Sequence, residues 1–310
     1  MATLKELVTA SNIAVYWNEM RSERAPYFGL SKFPEDKQLG LELKWIKGAS
    51  NIPVQLMPSA FDANVIPVSR QGFEMQEGEM PFFKNSRTLN EKQRQELNLV
   101  LASNNTAVQD MLLRRIYDDA AQLIEYAAVT REALRMQLLT TGKIVISGNG
   151  VKRTFDYGMK ATQKETLATK KWNSPTDAQP IADITRWQNT ILRATGEKPT
   201  EILMNSNTLA LISAVNSVKN AIFPLSNGAI TPTSDETRDV LARRAKVTVY
   251  TYDKGYMSDK GVFTPFIPDN VVVLMPSTTI GKTWFGTTPE ESDLMSSSVA
   301  NVRIVDTGVA

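Results

Sequence analysis

Apolar residues recur every three to four positions across the middle of the chain. They are Val108, Leu112, Ile116, Ala120, Leu123, Ala127, Leu134 and Leu138, with one step of seven. This period predicts a helix over 107–140, with Arg114, Asp118, Gln122, Glu125 and Glu132 on its other faces. Thr106 is placed to cap it, with Gln109 as the reciprocal member of a capping box. Gly142 is placed to stop it. At 1.5 Å per residue such a helix spans about 50 Å, roughly three times the mean helix length. It reads as a spine rather than one layer of a compact domain. A shorter helix over 90–102 precedes it, with Asn90 and Gln93 as a second box.

Elsewhere the period shortens or breaks. Residues 3–20 place Leu4, Leu7, Val8, Ile13 and Trp17 at near-helical spacing and predict a short amphipathic helix. Leu41, Leu43 and Trp45 alternate with Glu42 and Lys44 and predict a strand over 41–46. Residues 143–147 and 152–157 predict a hairpin through Gly148-Asn149-Gly150. Beyond Pro175 the segments alternate: helix 181–195, strand 201–204, helices 206–214 and 234–244, and strand 246–252. That order predicts a second, α/β unit. A hairpin around Asp259-Lys260-Gly261 follows, then a buried strand over 271–275 and strands over 279–285 and 301–305.

Proline sharpens these divisions. Six prolines lie between Pro26 and Pro81, none between 82 and 174, and nine from Pro175 onward. Since proline breaks helices and central strands, long helices belong in the middle block. From Gly48 to Phe83 no regular pattern survives, yet Ile52, Val54, Leu56, Phe61, Ile66, Phe73, Met80, Phe82 and Phe83 make the stretch too apolar for a solvated linker. A long apolar extension of this kind needs a partner surface. Within it, Glu74, Glu77 and Glu79 alternate inside an apolar frame. The bland reading is the polar face of an extended hairpin. The functional reading, which the apolarity favours, is an arm. Phe73, Met80, Phe82 and Phe83 would dock on a neighbour, and the three carboxylates would set register. Arg114 and Arg115 on the long helix are candidates to pair with a neighbour's carboxylates.

Composition narrows the chemistry. The 310 residues, 42% hydrophobic and 22% charged, suffice for about two folded units with a core of their own. There is no Cys and no His. This excludes thiol nucleophiles, disulfides, Cys/His zinc sites and Ser-His-Asp catalysis. The net charge of +2 lacks the strong basic imbalance of a dedicated nucleic-acid binder. No apolar run reaches the ~18–20 residues of a membrane helix, and the first residues lack a signal-peptide pattern, so a soluble protein made in a cytoplasm is expected.

The remaining motifs are weak. Pro276 to Thr283 nearly matches the phosphate loop GxxxxGK[ST]. However, Pro276 replaces the first glycine, and the text after Lys282 and Thr283 reads as strand then turn rather than helix. The expected role is a strand carrying an exposed lysine. A nucleotide-binding enzyme using Lys282 and Thr283 is a minor alternative. Asp118/Asp119 are helix neighbours that do not face each other, and they read as solvated surface. Glu290, Glu291 and Asp293 read as a cap. Arg243-Arg244-Ala-Lys246 and Lys170-Lys171 are short and lack interleaved aromatics, so each reads as a solvated face rather than a nucleic-acid site.

Several stretches together resemble the major capsid protein E family of tailed bacteriophages, in its lambda-type branch. They are Leu41 to Gly48, Pro58 to Asp62, Glu79 to Phe83, Val129 to Arg135, and most specifically Phe266 to Met275 with Gly281 to Glu291. The resemblance implies an α+β chain with the Hong Kong 97-type fold. On that map residues 1–40 are an N-terminal arm and 41–88 an extended loop. Residues 89–172 and 279–310 form a peripheral domain with its spine helix at about 107–140, and 173–278 form an axial α/β domain. The implied role is structural, with no catalytic residue, cofactor or metal. The chain would be a major head protein that assembles with itself into hexamers and pentamers of an icosahedral shell around double-stranded DNA. Implied partners are a separate scaffolding protein and a portal protein. A decoration protein is compatible, the packaged DNA is touched weakly and non-specifically, and no membrane is involved. Assembly would occur in the bacterial host cytoplasm and the product would be the virion capsid. The rival within the same fold is a nanocompartment shell protein, encapsulin-like, that stores cargo enzymes.

Overall fold

The computed structural model describes residues 15–16, 26–38, 40–47, 74–81, 83, 91, 95, 99, 106–148, 150–226, 228–258 and 260–286. Its elements run α1 (Phe28–Lys32), β1 (Glu35–Gln38), β2 (Glu42–Lys47), β3 (Glu74–Glu79), α2 (Thr106–Thr141), β4 (Lys143–Gly148) and β5 (Val151–Asp156). They continue with α3 (Pro180–Thr195), β6 (Glu201–Met204), α4 (Ser206–Ala214), α5 (Asn216–Ile222), α6 (Ser234–Arg244) and β7 (Thr248–Thr251). The last are β8 (Gly255–Met257), β9 (Phe263–Pro265), β10 (Val273–Met275) and β11 (Thr283–Gly286).

The long helix is present with 36 residues, and Thr106 is its first helical residue rather than its cap. Gly142 ends it in the left-handed region at φ 72°, its N–H donating to Leu138 O. Here glycine is required twice over: a Cβ would also meet Met159 Cβ at 2.5 Å. The buried stripe differs in phase from the sequence reading. Ala121, Glu132, Arg135, Met136 and Leu139 are buried, whereas Ala127 is exposed. Glu132, expected on a polar face, lies in the interior.

Behind this helix β4 and β5 form the expected hairpin, pairing Lys143 with Asp156 through Gly148 with Val151. Phe155 is buried beneath it.

The C-terminal half is built around the sheet β10-β6-β7, in which β6 runs parallel to β7 and antiparallel to β10. Ile202, Leu203 and Met204 of β6 are all fully buried. A central strand covered on both faces takes such an unbroken apolar run. On one face Ile202 and Met204 pack with Ile184 of α3, Leu209 and Ile212 of α4, Val218 of α5 and Leu241 of α6. On the other, Leu203 packs with Phe33, Met136, Leu139, Tyr252, Phe266, Ile267 and Met275. The second cluster thus joins the long helix to the sheet.

Local chemistry fixes the helix ends. Pro180 opens α3 and Gly196 closes it at φ 82°. Asn205 caps α4 by accepting from Thr208 N–H. Thr233 and Glu236 form a reciprocal box on α6.

Three elements were not foreseen: α1, β1 and α5. The β1 strand pairs in parallel with β11, Glu35 opposite Thr283 and Gln38 opposite Gly286. The β2 strand pairs antiparallel with β3, so part of the stretch expected to lack regular pattern forms a hairpin with its strand partner. The helices expected over 3–20 and 90–102, the strand at 301–305 and the Glu290 cluster lie largely or wholly outside the described residues. Val15, Tyr16, Glu91, Gln95 and Leu99 are helical.

Candidate functional site

The densest polar cluster sits where α1, α2, the C-terminal sheet and β11 meet. It begins with a close approach. A Cβ on Gly29 would lie 2.5 Å from Glu132 Oε2 and 2.9 Å from Arg135 and Met136 atoms, so only glycine lets α1 press onto α2. There Gly29 N–H donates to Glu132 Oε1 at 2.8 Å. Tyr252 OH, at the end of β7, donates to the same oxygen at 3.0 Å. Arg135 Nη1 stands 3.7 Å from Glu132 Oε2, an ion pair rather than a hydrogen bond.

Arg135 extends the cluster outward. Its Nη2 donates to Glu35 Oε1 at 2.9 Å and its Nε to Thr283 Oγ1 at 3.0 Å. The Thr283 hydroxyl in turn donates a hydrogen bond to Phe33 O at 3.1 Å. Arg131 approaches the same Glu35 oxygen at 3.3 Å and lies over the Phe285 ring. On the far side of α1, the buried Lys32 pairs with Glu201 at 2.6 Å and donates to the carbonyls of Pro276 and Ser277 at 3.0 and 3.1 Å. Two of the ammonium's three protons go to these carbonyls, and the Glu201 contact is an ion pair without hydrogen-bond geometry.

Electrostatics follow from burial. Desolvation pushes the Glu132 carboxyl above its ordinary value. The Gly29 N–H, the Tyr252 hydroxyl and Arg135 pull in the other direction without cancelling it. Burial, and then the Glu132 charge, push the Tyr252 phenol up as well. At the rim, the hydrogen bond from Lys282 holds Asp36 below its usual range.

The phosphate-loop look-alike is absorbed into this cluster. Lys282 pairs with Asp36 at 2.8 Å and lies over Trp284. Thr283 is engaged on both sides by Arg135 and Phe33. Strand β11, not a helix, follows. No N-terminal cradle for phosphate is formed there. Among the described residues no group of three or more His, Cys, Asp and Glu is placed to hold a metal ion. Nor is any described helix long and apolar enough to cross a membrane.

The residues singled out from sequence lie elsewhere. On the β2–β3 hairpin, Glu77 pairs with Lys44 at 3.1 Å. Glu79 accepts from Arg153 Nη2 of β5 at 2.8 Å, while Arg153 Nη1 donates to the Glu79 carbonyl at 3.0 Å. Met80 N–H donates to Leu41 O, and its sulfur lies beside Gly286. Glu74 opens β3. Phe83 is 54% exposed. Phe73 and Phe82 lie outside the described residues. Arg114 and Arg115 are exposed toward the N-terminal end of α2, remote in sequence from the hairpin. The structure therefore brings Glu77 and Glu79 onto one strand face.

Gly29, Lys32, Glu35, Arg135, Arg153 and Tyr252 were not singled out, and Glu132 was assigned to a polar face. The signal available was the spacing Val129, Glu132, Ala133, Met136, Leu139, which places one carboxylate inside an apolar arc.

In the cluster, charged groups of distant segments are joined to one another, so that it fastens α1, β1 and β11 to α2 and the C-terminal sheet. The family model for phage major capsid protein E matches residues 9–306. The chain belongs to the phage major capsid protein E family. Among solved structures it is similar to a prophage protein of E. coli CFT073 described as its capsid protein. That match has a TM-score of 0.52 and 12% identity, covering 95% of this chain and 88% of that one. A phage-related protein from Bordetella bronchiseptica RB50 is also similar, with a TM-score of 0.48 and 12% identity over 81% of this chain and 72% of that one. Comparison with curated proteins finds no match.

Proposed function

We propose that this capsid protein is the major head subunit of a tailed phage, assembling with itself into hexamers and pentamers of an icosahedral shell around double-stranded DNA. The observation that carries this reading is the family match over 9–306. The fold likeness to the prophage capsid protein supports it. On the Hong Kong 97-type plan, α2 with β4–β5 and β11 is the peripheral unit, the β10-β6-β7 sheet with α3 to α6 is the axial unit, and β2–β3 is the base of the extended loop. The loop would lie across a neighbour, with Phe73, Glu74, Glu77, Glu79, Met80, Phe82, Phe83, Arg114 and Arg115 at contacts between copies. A separate scaffolding protein and a portal would act during assembly in the host cytoplasm, and a decoration protein is compatible with the finished shell.

The test is negative-stain electron microscopy with analytical sedimentation, on the chain expressed with and without its neighbouring genes. Closed shells, or rings of five and six copies, are expected. Deleting residues 50–82 is expected to leave a folded subunit that forms none. A compact monomer in both preparations, or normal shells from the deletion, overturns the reading. Co-purification of a cargo enzyme in place of DNA turns it toward a nanocompartment.

A further inference from the structure

Two exposed apolar patches flank the carboxyl end of β7. The first is the β8–β9 hairpin. There Met257 stands opposite Phe263, with Val262 beside it, and all three are more than half exposed. The second lies between α5 and α6, where Leu225 is fully exposed and Ile230 about half exposed. Among the described residues no other helix or hairpin carries three large apolar side chains this exposed. Both patches are also poor in charge. Residues 220–234 and 261–268 contain no Asp, Glu, Lys or Arg, although 22% of the chain is charged. Asp259 and Lys260, between the two hairpin strands, are of opposite sign. Apolar surface depleted of charge, with Met and aromatic side chains, is what the centre of a protein interface presents. A nucleic acid needs cations at its contact, and these stretches carry none.

The sheet sets the two patches back to back. The hairpin begins at Gly255, just after β7 ends at Thr251. Arg238 of α6 donates to Thr251 Oγ1 at 3.0 Å, so the start of α6 and the turn before it lie at the same end. The faces differ. Tyr256 of the hairpin packs with Leu203 and Phe266 on the α2 side of the sheet, its ring 5.7 Å from that of Phe266. Ile222, shortly before Leu225, packs with Ile202 and Met204 on the other side. Successive side chains of a strand point to opposite faces, so Ile202 and Leu203 mark the two sides. A two-fold contact that set hairpin against turn would need both patches on one face. On opposite faces, they meet only when copies stack head to tail, and repeating that step closes a ring where the rotation allows it.

We propose that the β8–β9 hairpin of one copy docks on the turn between α5 and α6 of a second copy, Met257, Val262 and Phe263 covering the second copy's Leu225 and Ile230. The occupant is a second copy because this one chain carries both halves of the contact, each apolar and each exposed. The proposal rests on the reading that copies assemble into rings and adds the direction of the contact and the side chains that make it.

The chain has no cysteine, so introduced thiols report on the contact without background. Val262→Cys and Ile230→Cys are made separately and together in the full chain, expressed with its neighbouring genes, and treated with a short bismaleimide. Both positions are exposed, so the melting temperatures should stay at the wild-type value. Mixed single variants should give one covalent dimer and stop there. The double variant should give a ladder that ends at the ring size, and neither single variant alone should cross-link. Met257→Ser with Val262→Ser should weaken self-association by about tenfold or more in sedimentation, again without a change in melting. Dimers from Val262→Cys alone would mark a two-fold contact between identical hairpins and overturn the head-to-tail pairing. Rings or shells that form without cross-links, or that form normally from the serine variant, overturn this proposal and leave the assembly reading standing. Cross-linked pairs without rings or shells uphold the pairing and count against the assembly reading. The absence of cross-links, rings and shells together overturns both.

Discussion

Strand β6 and the β2–β3 hairpin are both short, yet they are stable for opposite reasons. Every side chain from Ile202 to Met204 is fully buried, covered by helices on one face and by the α2 cluster on the other. On the hairpin, Glu42, Lys44, Glu77 and Glu79 are exposed, while Leu43, Gly78 and the following Met80 are half-buried. Among the described residues the hairpin meets the rest of the chain through Arg153, through Gln38 Nε2, which donates to Glu42 O, and through the close approach of Met80 to Gly286. A lone two-stranded hairpin is marginal in water. The sheet carries its own core; the hairpin is conditional on what lies against it.

The largest effect on the self-sufficient side is expected at Glu132, which holds α1 and β7 to α2. Glu132→Ala leaves the buried Gly29 N–H and Tyr252 hydroxyl without their acceptor and removes one of Arg135's two carboxylates. The expected loss is about 3 kcal/mol of unfolding free energy, read by urea denaturation. A loss under about 1 kcal/mol would mean that the three segments are held by apolar packing alone.

Glu132 also sharpens the comparison through pH. Its folded-state pKa lies above the ordinary value of 4.5 because burial disfavours the charge. The folded state therefore holds the proton more tightly than the unfolded chain does. That contribution is complete below the ordinary value and is lost as pH rises through the raised one. Glu132→Gln keeps an acceptor for Gly29 and Tyr252 but has no proton to lose. Between about pH 4 and 8 the wild type should lose stability relative to Glu132→Gln as pH rises. A constant difference across that range would place the carboxyl outside the low-dielectric interior.

How much of this could be read from sequence depended on the range of the interactions. The elements α2, β4–β5, α3, β6, α4 and α6 follow from local periodicity and capping residues such as Thr233 and Glu236, and they stand close to their expected bounds. The α1 helix and β1 were not legible. Five and four residues between Pro26 and Pro34 or just beyond carry no period, and β1 exists because β11 pairs with it from far along the chain. Glu132 failed for the same reason, since its partners Gly29 and Tyr252 lie 103 and 120 residues away. The candidate contact residues Glu77 and Glu79 were legible as an alternating polar face. That they meet Lys44 and Arg153 depends on strand pairing and on packing between hairpins, which no local pattern encodes.

The smallest expected effect lies on the conditional side, at Arg153. Its guanidinium is 40% exposed and the Glu79 carboxylate 59% exposed, so water and salt screen the pair. Arg153→Ala should cost no more than about 1 kcal/mol globally, and the melting temperature should barely move. What should change is local. The β2–β3 amides lose their tether, and their hydrogen exchange should become several-fold faster, while Ile202 to Met204 keep wild-type protection. Placing arginine and glutamate the other way round, with Glu79→Arg and Arg153→Glu, should restore slow exchange if the pair acts through charge. A melting loss as large as that of Glu132→Ala would instead make the hairpin part of the core, and the contrast between a self-sufficient sheet and a conditional arm would fall. Unchanged exchange with unchanged melting would move the tether to the other described contacts, the Gln38 hydrogen bond to Glu42 O and the packing of Met80 on Gly286.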